Sequence, residues 1–262
     1  MDLGLSGQKA IVAAASRGLG KAAAFALANE GVDLAICSRS DDIHTTADEI
    51  RRQTGVNVLD QRVDVSDKDE VDGFVENAIS HFKHVDVLIL NAGGPPPGNF
   101  LDLTISDWRE AIDLTILSAI YLCYAVIPHM QEHGSGSIVA TQSYSVKQPI
   151  DNLILSNTLR MSVIGLTKSL ANELGPLGIR VNSINPAWTW TQRVENLMAD
   201  RAKRANTSVG EQAARVAVDV PLGRMGTVEE YGKAIAWLAS PAASFIHGHA
   251  LMFDGGATKA AL

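Results

Sequence analysis

The chain has 262 residues, 46% of them hydrophobic and 19% charged, with 22 Gly and 9 Pro. That composition excludes a disordered tail and a collagen-like repeat, and the length is enough for one large domain or two small ones to bury a full core without staples. Lys and Arg number 22 against 29 Asp and Glu, a formal charge of −7, which disfavours a nucleic-acid surface and leaves room for a local basic pocket around one anionic ligand.

Along the chain, short β-rich runs alternate with longer helical ones. Lys9–Ala14 reads as a strand, Gly18–Asn29 as a helix ending before Gly31, and Val32–Cys37 as the next strand. Asp41–Gln53 is helical with one polar face, Val56–Val63 a strand, and Asp67–Phe82 a helix opened by Ser66 as N-cap, with acidic residues in its first turn. Val85–Leu90 is apolar on both faces after Asp86, as a strand held between two helical layers must be. Ser106–Glu132 is a long helix interrupted only near Pro128, followed by the strand Ser137–Thr141, the helix Leu153–Leu174 and the strand Ile179–Asn185. Val228–Ala239 is the last helix and His249–Phe253 the last strand. Unbroken strand–helix alternation gives parallel βαβ units with right-handed crossovers, so the fold class is α/β, a single doubly wound sheet of seven mostly parallel strands over residues 1–262. Residues 192–220 are charged and helical by composition, and read as a lid over a substrate site.

Cys37 and Cys123 lie far apart in apolar runs, which excludes a disulfide framework and a CxxC site and suits a reducing compartment. Asp2 stands where a signal peptide would be basic, and the longest apolar run, Leu114–Ile127, is 14 residues broken by Thr115 and Ser118, short of the ~20 that a membrane span needs. The expected location is the cytoplasm.

The first strand–turn–helix reads Ala13-Ala14-Ala15-Ser16-Arg17-Gly18-Leu19-Gly20. Gly18 and Gly20 open a helix whose free N–H groups and dipole suit a pyrophosphate, and a second strand follows about 20 residues on. That strand ends in Cys37-Ser38-Arg39-Ser40. A carboxylate there would select NAD, whereas Arg39, with Arg17 in the adjacent turn, accommodates a 2′-phosphate and favours NADP(H) over NAD(H).

These residues resemble the short-chain dehydrogenase/reductases over nearly the whole chain, as a divergent member similar to 3-oxoacyl-ACP reductase-like proteins. Ala14-x-x-x-Gly18-x-Gly20 is similar to the family's glycine motif, with Ala14 at a usual glycine. Asp64-Val65 resembles the adenine-holding pair, Asn91-Ala92-Gly93 the Asn-Ala-Gly turn, and Gly136 through Ser143 the strand that carries the catalytic Ser. Lys168–Leu174 and Gly178–Asn182 resemble the helix and strand that follow, Pro186-Ala187 through Thr189 and Thr191 the loop over the nicotinamide, and Asp254-Gly255-Gly256 the C-terminal signature. The resemblance implies a Rossmann-type fold, a nicotinamide cofactor, a small carbonyl or alcohol substrate, and a homodimer or homotetramer.

It also implies an Asn, Ser, Tyr and Lys catalytic group, with Tyr-x-x-x-Lys on one helix face, and here the chain departs. Ser143 is kept, but Ser156 stands at the Tyr position, Arg160 at the Lys position and Thr115 at the Asn position. A serine hydroxyl is a far weaker acid than a phenol, and a guanidinium can hold a ribose or an anion but cannot shuttle protons. A relocated acid is available in Ser143-Tyr144-Ser145-Val146-Lys147, where Tyr144 would deliver the proton and Lys147 would lower its pKa. The alternative is a cofactor-binding protein without redox turnover: a regulator, a pseudoenzyme or a non-redox lyase or isomerase. His129, Glu132 and His133 imitate a zinc motif, but Pro128 and Gly134 crowd it and no third ligand is evident, so no metal is expected. Trp188 and Trp190 are placed to line an apolar wall of the substrate pocket.

Overall fold

The computed structural model describes residues 2–260. Seven strands, β1 (Lys9–Val12), β2 (Asp33–Ser38), β3 (Val58–Arg62), β4 (Val87–Leu90), β5 (Gly136–Thr141), β6 (Ile179–Pro186) and β7 (Ala250–Phe253), form one sheet in the order β3-β2-β1-β4-β5-β6-β7. Every neighbouring pair is parallel. Helices cover both faces. Consecutive strand residues point to opposite layers: Ile11, Leu88 and Leu90 join Phe74 and Val126 in one core, while Val12, Val87 and Ile89 join Leu27 and Ile235 in the other. All of these residues are apolar because neither face of the sheet meets water. The strand order reverses at β1, with β2 on one side and β4 on the other, and this opens the crevice at the carboxyl ends where such sheets bind ligands.

The helices are α1 (Gly18–Asn29), α2 (Asp42–Thr54), α3 (Lys68–Phe82), α4 (Ile105–Ile112), α5 (Ser118–His133), α6 (Ile154–Leu174), α7 (Gln192–Ala205), α8 (Val209–Val218) and α9 (Val228–Ala239). Several boundaries differ from the sequence reading, each for a local reason. The first strand stops at Val12 because Ala14 turns into the left-handed region, at φ 50°. The cap of α3 is Asp67, whose carboxylate accepts from Asp69 N and Glu70 N, while the Ser66 hydroxyl donates to Asp64 instead.

The long helix is interrupted not at Pro128 but at a π-turn, Asp113–Leu117, between α4 and α5. Pro128 lies on the outer face beside Tyr124, which is 74% exposed, so the carbonyl that loses its donor is open to water and the helix continues. Together Ile105–His133 is long and apolar enough to cross a membrane by length and composition alone, yet Leu122, Cys123, Val126 and Met130 on one side of it are core residues. Residues 192–220 carry α7 and α8.

Candidate cofactor and active site

The glycine turn is built for close approach. A Cβ on Gly20 would fall on the Ala14 carbonyl oxygen and near Asn91 Nδ2, so only glycine lets α1 start this close to β1. Gly18 and Ala14 both have positive φ, and Asn91 Nδ2 pins the strained turn by donating to Ala13 O and Ala14 O, each at 3.2 Å. Side chains cap α3, α4, α7, α8 and α9, but none caps α1, and no acidic residue lies in its first turn. Its N–H groups and positive dipole end are left facing the crevice, an arrangement that fits a pyrophosphate. Thr191 leans over this turn, with its methyl group beside Gly18, while its hydroxyl caps α7 through Val194 N.

At the adenosine end, the buried hydroxyls of Ser16 and Ser38 share a 2.8 Å hydrogen bond that ties the glycine turn to the end of β2. Arg39 is exposed and its guanidinium lies 3.5 Å from the Asp64 carboxylate. Burial pushes the Asp64 carboxyl up, but the Ser66 hydroxyl, the Ser66 N–H and Arg39 together hold it below the usual range. Val65 beside it is a core residue, and Leu19 faces the second core. Arg17 is exposed on the same rim. A sugar phosphate at this end would meet Arg39 and Arg17, and would compete with the ionised Asp64 for the Arg39 guanidinium.

On the other side of the glycine turn, Asn91, Ala92 and Gly93 line a cavity of about 10 Å³ together with Thr115, Gln142 and Arg160. Thr115 is held in the π-turn, and its buried hydroxyl has no protein partner. Arg160 is half-buried on α6, donates from Nε to Ser156 Oγ at 3.0 Å, and reaches Gln142 Oε1 at 3.4 Å. Burial, and then the charge of Arg193, push its pKa down to about 10, so it remains a cation at neutral pH. Arg193, in the first turn of α7, folds over the loop after β4 and donates to Gly94 O at 3.0 Å and Pro95 O at 2.9 Å. Pro186 ends β6; the chain then turns through Ala187, whose N–H donates to Phe253 O, and buried Thr189 to reach Thr191.

Ser143 sits at the end of β5, and its hydroxyl accepts from Ser145 N at 3.1 Å. Tyr144 follows it into a short 3₁₀ turn, buried, with its ring edge-to-face against Trp188 at 6.1 Å. The Arg201 guanidinium covers the other ring partner, 4.8 Å from the Trp188 ring. Burial raises the Tyr144 phenol, and Trp188 and Arg201 only partly offset this. Here the structure corrects the sequence reading. The Lys147 backbone N–H donates to Tyr144 O, but its side chain is exposed, makes no hydrogen bond among the described residues, and is not among the groups that act on the Tyr144 phenol. The turn buries one of the two side chains and leaves the other in solvent, a difference that their spacing of three could not show. Trp190 also departs from the wall reading: it is exposed and lines a groove with Phe25 and Trp237 on the outer side of α1 and α9.

The sequence reading missed several residues that shape this site. Arg193 differs in no local pattern from its neighbours in a charged helix. Asn157 pins the loop before α6 by accepting from Ile150 N and donating to Ile150 O. Tyr231, fully buried on α9, shares a 2.7 Å hydrogen bond with Thr141 at the end of β5 and lies near Arg160. Of the histidines in the zinc-like motif, His133 Nδ1 bonds the His129 carbonyl, and among the described residues no three metal-ligating side chains are grouped.

Residues 13–258 match the family model described as Enoyl-(Acyl carrier protein) reductase. The chain is 34% identical over 254 residues to a cis-4-hydroxycyclohexanecarboxylate dehydrogenase of Sinomonas cyclohexanicum, covering 95% of this chain and 96% of that one. It is 32% identical to a 3-oxoacyl-[acyl-carrier-protein] reductase of Synechocystis, covering 96% and 97%. Its fold superposes on L-sorbose reductase from Gluconobacter frateurii, solved with NADPH and L-sorbose, with a TM-score of 0.95, 29% identity and coverage of 99% and 100%.

Proposed function

The chain belongs to the short-chain dehydrogenase/reductase family, and we propose on that premise that it is an NADP(H)-dependent oxidoreductase acting on a small carbonyl compound or secondary alcohol. The observation that carries this reading is the uncapped N-terminus of α1, held against Asn91 by Gly20, with Arg39 and Arg17 at the far end where a 2′-phosphate would lie. The nicotinamide, when bound, supplies or accepts the hydride. The chain's own residues do the rest. Asn91, Gly93 and Thr191 bind and orient the cofactor, and Arg160 fixes its ribose. The Ser143 hydroxyl donates a hydrogen bond to the substrate oxygen. The Tyr144 phenol, neutral at pH 7 as any phenol is and raised further by burial, holds the proton that the product oxygen takes.

A second reading, cofactor binding without redox turnover, is motivated by Ser156 and Arg160 at the Tyr and Lys positions. One experiment separates the two: mixing the protein with NADPH or NADH and a panel of ketones and diketones, and following nicotinamide absorbance. Turnover with NADPH supports the first reading; tight NADPH binding with a silent panel supports the second.

We also propose a cytoplasmic setting, since the buried thiols Cys37 and Cys123 have pKa values pushed up to about 12 by burial and form no disulfide. The assembly that fits is a two-fold dimer, or a dimer of such dimers, through α4, α5 and α6, whose outer faces leave Tyr124 74% and Met161 48% exposed. Light scattering at micromolar concentration tests it, and a monomer mass would contradict it. The helices α7 and α8 would close over the substrate as a lid.

A further inference from the structure

We propose that the substrate carries a carboxylate, gripped by the guanidinium of Arg193 with Arg160 beside it. This rests on the oxidoreductase reading above and adds the class of compound that the site selects. Among the described residues neither guanidinium has a carboxylate partner: Arg160 is held by the neutral oxygens of Ser156 and Gln142, and Arg193 by the carbonyls of Gly94 and Pro95. Arg180 also lacks an acid, but five backbone carbonyls and the Ser137 hydroxyl fill its donors, whereas Arg160 and Arg193 make two bonds each. In a chain of net charge −7, two guanidiniums on one loop, Arg160 lining the cavity with Asn91, Ala92 and Gly93 and Arg193 bonded to Gly94 and Pro95, mark a place that an anion completes.

The position of the pair separates it from the cofactor's phosphates. The pyrophosphate cradle and Arg17 lie at the start of α1, and Arg39 lies beyond it at the end of β2. Arg160 and Arg193 lie instead along the loop after β4, with Arg160 reaching Gln142, the residue before Ser143. Gly94 makes this possible. A Cβ there would fall on the Arg193 guanidinium, so the missing side chain is what lets the cation lie over the loop. Gly94 has no positive φ, so the backbone itself does not call for glycine. A guanidinium offers two parallel N–H donors, which match the two oxygens of a carboxylate.

The test is a binding measurement on the NADPH-loaded protein. Calorimetry compares oxamate, which carries one carboxylate, with oxamide, its neutral isostere, and with inorganic phosphate. Oxamate should bind at least about 10-fold more tightly than either, and Arg193→Gln should weaken it about 10-fold, while the NADPH dissociation constant, read by fluorescence, stays within about threefold. Arg193→Lys should recover part of the affinity, and Gly94→Ala, which leaves Arg193 in place but pushes its guanidinium off the loop, should weaken oxamate as well. The proposal is overturned if oxamide or phosphate binds as well as oxamate, if Arg193→Gln leaves oxamate unchanged, or if that variant loses NADPH and oxamate equally. Failure of NADPH to bind would instead remove the oxidoreductase reading, and oxamate titrated into the cofactor-free protein would still report on the arginine pair.

Discussion

Arg160 donates its Nε–H to Ser156 Oγ across 3.0 Å, one helical turn apart on α6. The two substituted positions therefore hold each other: the serine is too short to reach a substrate and serves as the acceptor that aims the guanidinium. Arg160→Ala should weaken NADPH binding about 10-fold or more and lower the rate with it, because one charged group faces both cofactor and substrate. Ser156→Ala removes only the aiming bond and should change both by less than Arg160→Ala does. Cofactor fluorescence titration and initial rates on the same preparations check the order, and a larger loss from Ser156→Ala would overturn it.

Gly20→Ala should be among the most damaging single-methyl changes in the protein. The added Cβ would meet the Ala14 carbonyl and the Asn91 amide at once, and both are backbone-anchored. Overpacking of this kind costs about 1–3 kcal/mol. The expected result is a lower melting temperature together with weaker binding of NADPH and NADH alike. Gly55→Ala offers a comparison: its Cβ would meet nothing, so any loss there comes from its positive φ of 76° alone.

Both substitutions bear on what a reader of the sequence could see. The sheet was legible because its central strands β1 and β4 are apolar on both faces and several helices open on a capping Thr, Ser or Asp, and these are local signals. The glycine turn was legible because Gly18, Gly20 and Asn91 act through their backbone or next to it. The catalytic corner was not. The distance between Lys147 and Tyr144 depends on which way a 3₁₀ turn winds, and Arg193 meets Gly94 only because α7 folds back over β4, a contact between residues 99 apart. No periodicity encodes either.

Cofactor choice turns on Arg39. Its guanidinium already lies against Asp64, so a 2′-phosphate would compete with that carboxylate rather than meet a bare cation. Arg39→Asp should cost about 1.5–3 kcal/mol of NADPH binding, the worth of a hydrogen bond to a charged group, and should leave NADH little changed. Calorimetry with the two cofactors measures the ratio, and equal dissociation constants in the wild-type protein would refute the NADP(H) preference outright.

The last prediction concerns the proton. Burial sets the Tyr144 phenol above its ordinary value of 10, with Trp188 and Arg201 only partly opposing. The phenol is therefore protonated throughout the neutral range and can donate to a product oxygen there, so carbonyl reduction should be flat with pH until it falls above about pH 10. Alcohol oxidation needs the phenolate, which is scarce at pH 7, so its rate should rise steadily through pH 10. Tyr144→Phe should lower the reductive rate roughly 10²-fold, more than Ser156→Ala, and should abolish the rise in oxidation. Lys147→Ala should leave both profiles in place, since the Lys147 side chain is exposed and makes no hydrogen bond among the described residues. A Tyr144→Phe enzyme with wild-type rate and wild-type pH dependence would place the proton elsewhere, on Ser143 or a water beside Thr115.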